Sequence, residues 1–386
     1  MEVKLTDCYT LSDGKALMSG TEALVRLLLE QSRIDRLNGL RTKGLVSGYP
    51  GSPLGGLDIA LGKAKAFLDE EGIHFQPAVN EELAATALWG SQHINLYDKP
   101  DIQGVFSMWY GKGPGLDRAM DALRHANQGG VAPHGGMVIA VGDDPTGKSS
   151  TLAYQSDQNF HSLGIPYFFP KNVSDIIPMG LEAFALSRYS GCCVGLKIVV
   201  DTADSNAVVD MSKLRPSLPI LKPNSLVHVT KHDPASVRES KLHDVRLPAV
   251  QTWCENSENV AQVYLPAKKG ETRLGIIGVG KIANEVNEAL AGLLPDRGKK
   301  NTVAFTAINM PWPLPEKKIS TMLSVVEEVL VIEEKRSFVE EQIAKICLKQ
   351  DRRILLSGKT NPDGTNLLPS YGELSLENIL NVIAAR

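Results

Sequence analysis

Three groups of residues in this sequence have the types and the spacing that binding chemistry requires. Gly142-Asp-Asp-Pro-Thr-Gly-Lys-Ser149 satisfies the phosphate-loop pattern G-x-x-x-x-G-K-[ST] and follows an apolar strand signal. Gly278-Val-Gly-Lys-Ile-Ala283 is a weaker G-x-G-x-x-A pattern, of the kind that holds a dinucleotide pyrophosphate. The third group joins Gly48-Tyr-Pro-Gly-Ser-Pro53 with Asn80-Glu-Glu-Leu-Ala-Ala85. Each group also has a purely structural interpretation.

The phosphate-loop pattern predicts an ATP or GTP site at Lys148, with Asp201 as the magnesium-binding acid. A phosphate cradle points successive backbone N–H groups at its anion. Here Asp143 and Asp144 place two carboxylates where the triphosphate would lie, and Pro145 lacks an N–H. These objections favour a structured strand-to-helix turn, and a P-loop nucleotide hydrolase using residues 142–149 stays as an alternative.

The other two groups match less specific sequence patterns. The strand signal after Ala283 runs into Asn309 and Met310 instead of the acid that binds a ribose hydroxyl, which favours a tight turn. The third group lies at a strand end and a helix start, and ligands of parallel sheets collect at the carboxyl ends of strands. Acids in a first helical turn, such as Glu81 and Glu82, also stabilise the helix dipole, so a structural role stays open.

Composition narrows the class of protein. The 386 residues carry a net charge of -3 without a single-sign block, so we expect no nucleic-acid partner. The five cysteines contain no Cys-x-x-Cys pair, so an iron–sulfur cluster would have to lie on another part of the enzyme or on a partner. No stretch approaches the roughly 18 apolar residues that span a bilayer. We therefore expect a cytoplasmic protein with no membrane association.

The elements that must position these residues follow an α/β pattern. Ser19 and Glu22 form a capping box, and Asn80 is a helix N-cap candidate. Residues 1–205 read as one α/β domain, 206–270 as a proline-punctuated linker or crossover, and 271–386 as a smaller α/β domain. Short apolar runs, typical of parallel strands buried on both faces, occur at GLVSGYP (44–50), GVFSMWY (104–110), GMVIAVGDD (136–144), IPYFF (165–169) and GLKIVVD (195–201).

Several of these segments, taken in order, resemble the amino-terminal portion of the indolepyruvate ferredoxin oxidoreductase family, which consists of thiamine diphosphate-dependent 2-oxoacid:ferredoxin oxidoreductases. The resemblance rests on segments that include VSGYPGSPLGG (46–56), FQPAVNEELAATALWGSQ (75–92), MWYGKGPGLDRAMDALRHAN (108–127), GDDPTGKSST (142–151), SRYSGC (187–192), NMPWPLPE (309–316) and VLVIEEKRSFVEEQI (329–343). It implies a pyrimidine-type thiamine diphosphate-binding domain, a parallel sheet with helices on both faces, followed by a domain like the carboxyl-terminal domain of transketolase.

The resemblance also implies the roles of individual residues. Family members place a glutamate against N1′ of the aminopyrimidine in a pattern Glu-x-x-Ala-Ala, and Glu81 fits this pattern whereas Glu82 is off by one. A carboxyl group there shares a proton with N1′ and so activates the cofactor. The expected cofactor-binding residues are Gly48, Tyr49, Pro50, Gly51, Asn80 and Glu81, and the expected substrate-binding residues are Ser52, Lys112 and His125, with the structural roles of a turn former and of solvated charges left open.

The sequence also departs from the family. Relatives carry a Gly-Asp-Gly motif that holds magnesium and the diphosphate, and this chain has none. We therefore expect either one subunit of a split enzyme or a truncated portion, with magnesium and clusters held by the missing part or a partner. The implied reaction is oxidative decarboxylation of an aryl or branched 2-oxoacid to acyl-CoA, with coenzyme A as co-substrate, ferredoxin as electron acceptor and a homo- or hetero-oligomeric assembly. A non-catalytic scaffold subunit is the other alternative.

Overall fold

The computed structural model describes residues 4–98, 100–265, 273–294 and 303–386. The chain divides into two units, residues 1–253 and 254–386. Residues 266–272 lie outside the described residues. They contain the last residues of the predicted linker and the first two of the predicted second domain.

The strands of the first unit are β1 (Lys15–Ser19), β2 (Thr42–Gly48), β3 (Ile73–Phe75), β4 (Gly104–Lys112), β5 (Met137–Asp143), β6 (Tyr167–Phe168), β7 (Val194–Val199) and β8 (Asn206–Asp210). The five predicted apolar runs correspond to β2, β4, β5, β6 and β7, whereas β1, β3 and β8 do not match any of these runs. Among the described residues, six of these strands form one parallel sheet in the order β3-β2-β4-β5-β7-β6. Every residue of β5 and β7 is buried, as expected for a parallel sheet with helices on both faces.

The helices of the first unit are α1 (Asp7–Thr10), α2 (Gly20–Leu37), α3 (Leu57–Lys63), α4 (Lys65–Glu70), α5 (Glu81–Ser91), α6 (Gly113–Gly129), α7 (Asp157–Leu163), α8 (Val173–Ser190), α9 (Val200–Asp204), α10 (Ala235–Lys241) and α11 (Leu247–Asn256), which extends three residues past residue 253. The capping box of Ser19 and Glu22 starts α2, and the Asn80 side chain caps α5. Both predicted caps are confirmed.

Residues 206–253, expected to belong to a linker, are part of the first unit. β8 pairs antiparallel with β1. The fully buried Arg246 donates to the carbonyls of Asn127 (3.2 Å), Gln128 (2.7 Å) and Gly129 (3.0 Å) at the carboxyl end of α6. A cation at a helix carboxyl terminus is stabilised by the helix dipole and by the last carbonyls, which helps to hold this segment in place.

The second unit repeats the α/β principle on a smaller scale. Its strands are β9 (Ala261–Tyr264), β10 (Leu274–Val279), β11 (Val303–Ile308), β12 (Glu328–Ile332) and β13 (Leu355–Ser357), and its helices are α12 (Lys281–Leu293), α13 (Glu316–Leu323), α14 (Val339–Cys347) and α15 (Leu376–Ala384). Within the described part of the unit, the sheet order is β13-β12-β10-β11-β9. Only β9 runs antiparallel to its neighbour there, so this unit is also α/β.

Candidate functional site

Strands β2 and β4 end side by side at the carboxyl edge of the first sheet. The register pairs Gly48 with Tyr110, and the N–H of Tyr49 donates to the Tyr110 carbonyl over 3.2 Å. A Cβ atom at Gly48 would lie 2.2 Å from that carbonyl oxygen. Only glycine allows the two strand ends to approach so closely, and the chain then turns into the loop Tyr49–Pro53.

Glu81 is the first residue of α5 and lies at the same edge. The Asn80 side chain accepts the Leu83 N–H over 2.8 Å, and the Trp109 indole N–H donates to the Glu81 backbone carbonyl over 3.0 Å. The helix start is therefore fixed to β4 by its own cap and by an indole. Glu81 is only 7% exposed, whereas Glu82 is open to solvent.

The Glu81 carboxyl group faces the beginning of α6. A Cβ atom at Gly115 would lie 2.8 Å from Oε1 of Glu81, so the missing side chain leaves the room that this carboxyl occupies. The charged neighbour is Arg118, whose Nε lies 3.8 Å from Oε2 and whose side chain is 61% exposed. The carboxylate is thus buried on one side and faced by a largely exposed cation on the other.

Loop residues 49–53 bring a hydroxyl to this edge and lie against Lys112, the last residue of β4. A Cβ atom at Gly51 would lie 2.9 Å from Cδ of Lys112, so the lysine stem packs on the loop. The Ser52 hydroxyl donates to the Ser149 hydroxyl. Tyr49 and Pro50 are exposed beside them. The structure therefore gathers the expected cofactor residues with Ser52 and Lys112 at one edge of the sheet.

His125 lies elsewhere on the same pair of helices. Its ring stacks on Trp89 with 5.4 Å between ring centroids, near the carboxyl end of α5. At 1.5 Å per residue, Trp89 lies about 12 Å along α5 from Glu81. His125 also faces Asp121 at 3.9 Å. The structure does not bring His125 to the edge where Glu81 and Ser52 lie.

In the segment with the phosphate-loop pattern, an acidic side chain of the segment itself accepts the backbone N–H groups. Asp144 accepts the backbone N–H groups of Lys148 (3.0 Å), Ser149 (2.8 Å) and Ser150 (3.1 Å). Burial by itself would raise the pKa of Asp144, but the N–H groups of Ser149 and Lys148 outweigh it, and the pKa is lowered. The segment after Ser149 is not helical until α7. The strand–loop–helix arrangement of a phosphate loop is therefore not what this segment forms.

Asp143 is occupied as well. Its Oδ2 accepts the N–H and the hydroxyl of Ser156, each over 2.9 Å, and lies 3.5 Å from the Lys197 ammonium. Burial raises the pKa of Asp143. In the G-x-G-x-x-A segment, a Cβ atom at Gly278 would lie 2.8 Å from the Ala283 Cα, which is the close strand-to-helix packing of a tight turn.

Sequence reasoning missed three residues at this edge, namely Gly115, Arg118 and Ser149. Gly115 and Arg118 belong to the segment GKGPGLDR, in which two glycines flank a proline at a helix start. That pattern, a helix start kept free of side chains, could have indicated a close approach. Ser149 has no comparable local signal, since its partner Ser52 is 97 residues away in the chain.

The fold is that of a known class of enzymes. The structure matches a 2-oxoglutarate:ferredoxin oxidoreductase from Magnetococcus marinus with a TM-score of 0.64 and 17% identity, covering 97% of this chain and 65% of the other. It also matches a split gene transketolase, an inactive β4 tetramer, with a TM-score of 0.56 and 11% identity, covering 95% of this chain and 97% of the other. The chain therefore has the α/β fold found in 2-oxoacid:ferredoxin oxidoreductases and transketolase.

The sequence is similar to proteins of one family. Residues 266–386 match the family model described as the indolepyruvate oxidoreductase domain. Indolepyruvate oxidoreductase subunit IorA of Methanothermobacter marburgensis is 26% identical over 99% of this chain and 56% of its own length. The corresponding subunit of Pyrococcus abyssi is 25% identical over 99% of this chain and 54% of its own length. The predicted resemblance is confirmed, and the chain spans about half the length of these relatives.

Proposed function

We propose that this chain is the pyrimidine-binding component of a thiamine diphosphate-dependent 2-oxoacid:ferredoxin oxidoreductase that acts on aryl or branched 2-oxoacids. The observation that carries the proposal is the buried Glu81 carboxyl at the start of α5, packed against Gly115 at the start of α6. The matches to indolepyruvate oxidoreductase subunits support the type of substrate.

The site fits one part of the cofactor. A carboxyl group with one buried side and no bulky neighbour at Gly115 has the chemistry to share a proton with ring nitrogen N1′ of an aminopyrimidine. When bound, thiamine diphosphate supplies the carbon nucleophile that attacks the oxo carbon of the substrate. Gly48, Tyr49, Pro50, Gly51 and Asn80 would shape the pyrimidine side of the site.

Lys112 has the charge to meet a substrate carboxylate. Its stem packs on Gly51, so its ammonium group is tethered near the loop that carries Ser52. A point charge with three donors suits a carboxylate that only accepts hydrogen bonds. We leave His125 out of the proposed site because it stacks on Trp89 at the other end of α5.

The rest of the cofactor site belongs to another part of the enzyme. This sequence contains no Gly-Asp-Gly motif, so the diphosphate and its magnesium would be held by a further domain or a partner subunit. That part would also carry the iron–sulfur clusters that reduce ferredoxin, and coenzyme A would accept the acyl group.

The experiment is a substitution of Glu81 in the assembled enzyme, reconstituted with the polypeptide that carries the diphosphate motif. We expect E81Q to lower kcat about 10³-fold, because an amide cannot share its proton with N1′ as a carboxyl does. E82Q is the matched control, since Glu82 is the exposed neighbour, and it should keep wild-type turnover. Wild-type turnover in E81Q would contradict the proposal.

A further inference from the structure

The loop that follows β5 is organised around a single carboxylate. Three consecutive backbone N–H groups, those of Lys148, Ser149 and Ser150, converge on Asp144. The hydroxyl of Ser149 donates to the same carboxylate over 3.2 Å. Asp144 thereby fixes both the backbone and the side chain of Ser149.

Hydrogen accounting sets the direction of the contact between Ser149 and Ser52. A hydroxyl has one hydrogen to donate, and an ionised carboxylate has none. Because Asp144 only accepts, the Ser149 hydroxyl donates its hydrogen to Asp144. The Ser52 hydroxyl is therefore the donor in its contact with Ser149. The Ser52 oxygen keeps its lone pairs for another group.

Ser52 lies beside the Glu81 edge and is held from two sides. Its neighbour Pro53 packs against β5, since a Cβ atom at Gly142 would lie 2.8 Å from the Pro53 ring. Its other neighbour, Gly51, packs on Lys112. The loop around Asp144 therefore supplies the third support, and this one acts on the hydroxyl itself.

We propose that Asp144 and Ser149 are positioning residues for Ser52, which they hold as a hydrogen-bond acceptor at the edge of the Glu81 site. The inference rests on the proposed function, because it assigns Ser52 a partner within that site.

The hydroxyl chain is tested in the full chain by a double-mutant cycle on the free energy of unfolding. S52A, S149A and the double variant are compared with wild type in urea. We expect the double variant to lose less than the sum of the single losses, because either substitution already removes the contact. Additive losses would overturn the proposal.

Ser150 provides the matched control for this cycle. It lies in the same loop, and its hydroxyl is buried with no hydrogen-bond partner in the part of the chain that the structure describes. S150A removes one hydroxyl as S149A does, but it leaves the chain from Ser52 to Asp144 intact. We expect the changes in the free energy of unfolding caused by S52A and S150A to add. Coupling between these two substitutions as strong as that between S52A and S149A would overturn the proposal.

The positioning role is tested in the assembled enzyme by separating kcat from KM. We expect S149A to lower kcat about tenfold, the effect of one lost hydrogen bond, and to leave the KM for the oxoacid within about twofold. S149T keeps the hydroxyl and should restore kcat, and S150A should match wild type. Wild-type kcat in S149A, or a raised KM with unchanged kcat, would overturn the proposal.

These outcomes are distinct from a failure of the proposed function. If E81Q turns over normally, the cofactor role of this edge is contradicted, whereas the unfolding cycle still decides the hydroxyl chain. If E81Q is inactive and S149A is normal, the function stands and Ser149 has no positioning role.

Discussion

Two buried glutamates, one in each unit, show how differently a protein can use the same side chain. Glu81 is 7% exposed at the first residue of α5, and Glu333 is 4% exposed between β12 and α14. The Glu333 carboxylate accepts the N–H groups of Phe338, Val339 and Glu340, each over 2.9 Å. The Glu81 carboxylate instead faces the guanidinium of Arg118 at 3.8 Å, beyond hydrogen-bond distance.

The difference separates a carboxylate held by backbone N–H groups from one that, in our proposal, meets the cofactor. Glu333 satisfies three N–H groups that the first turn of a helix leaves without partners, so its oxygens are engaged by the fold. Glu81 has its backbone fixed by Trp109, and its carboxyl packs on Gly115 without a backbone N–H donor among the described residues. General acid–base chemistry requires a carboxyl whose backbone is held in place, and the proposal assigns that chemistry to Glu81. Burial alone would not have distinguished the two residues.

The largest expected effect on stability is at Glu333. E333A leaves the N–H groups of Phe338, Val339 and Glu340 at the start of α14 without this acceptor, and we expect the free energy of unfolding of the second unit to fall by about 4 kcal/mol. E81A should cost less than about 1 kcal/mol, because the Asn80 cap and the Trp109 bond use other atoms. Urea unfolding followed by circular dichroism measures both, and equal losses would remove the contrast.

The next effect is a pH dependence carried by Glu333. Burial raises the pKa of this carboxyl to about 7 from 4.5, even though its N–H donors and Lys359 act to lower it. Between these values the folded state binds the proton and the unfolded state does not, so stability falls as pH rises from 4.5 to 7. The total loss is about 3 kcal/mol, and stability then levels off above pH 7.

This pH dependence is measured as the difference between wild type and E333Q in urea unfolding at several pH values. The amide stands for the protonated carboxyl, so wild type should lose stability relative to E333Q as pH rises through this window. E341Q, at an exposed position on the same helix, is the control. A pH-independent difference between wild type and E333Q would show that Glu333 does not bind this proton.

The smallest effect sharpens the contrast at Glu81. G115A puts a Cβ atom 2.8 Å from Oε1 of Glu81, so the carboxyl has to shift. We expect turnover of the assembled enzyme to fall about tenfold, while the alanine adds up to about 1 kcal/mol of helix stability. G62A, at a helical glycine of α3 with open space around it, should stabilise without affecting turnover. Wild-type turnover in G115A would mean that the position of the Glu81 carboxyl against Gly115 is not required for activity.

Local patterns in the sequence were enough for part of this site. The Asn80 cap and the parallel strands β2, β4 and β5 are as predicted, because capping and burial patterns involve residues a few positions apart. The choice of Glu81 over Glu82 came from the spacing of a family pattern, and the structure buries Glu81 and exposes Glu82. The catalytic role of Glu81 stays a prediction.

Other features depended on long-range contacts. The segment 206–253 reads as a linker by its prolines, yet Arg246 caps α6 through residues 117 to 119 positions earlier in the chain. The phosphate-loop pattern of residues 142–149 does not reveal that the Asp144 carboxylate accepts the backbone N–H groups of the loop that follows it. The interpretation of His125 as a substrate ligand rested on residue type, and its stacking on Trp89 depends on how α5 and α6 pack.

The sequence by itself determined the two α/β patterns, the helix caps and a glutamate at a helix start. These follow from the preferences of neighbouring residues for helix, strand and cap. Only the tertiary structure decided which carboxylates are filled by N–H donors, which hydroxyls touch and where residues 206–253 lie. Such contacts join residues far apart in the chain, and their free energy depends on burial and geometry that exist only after the chain has folded.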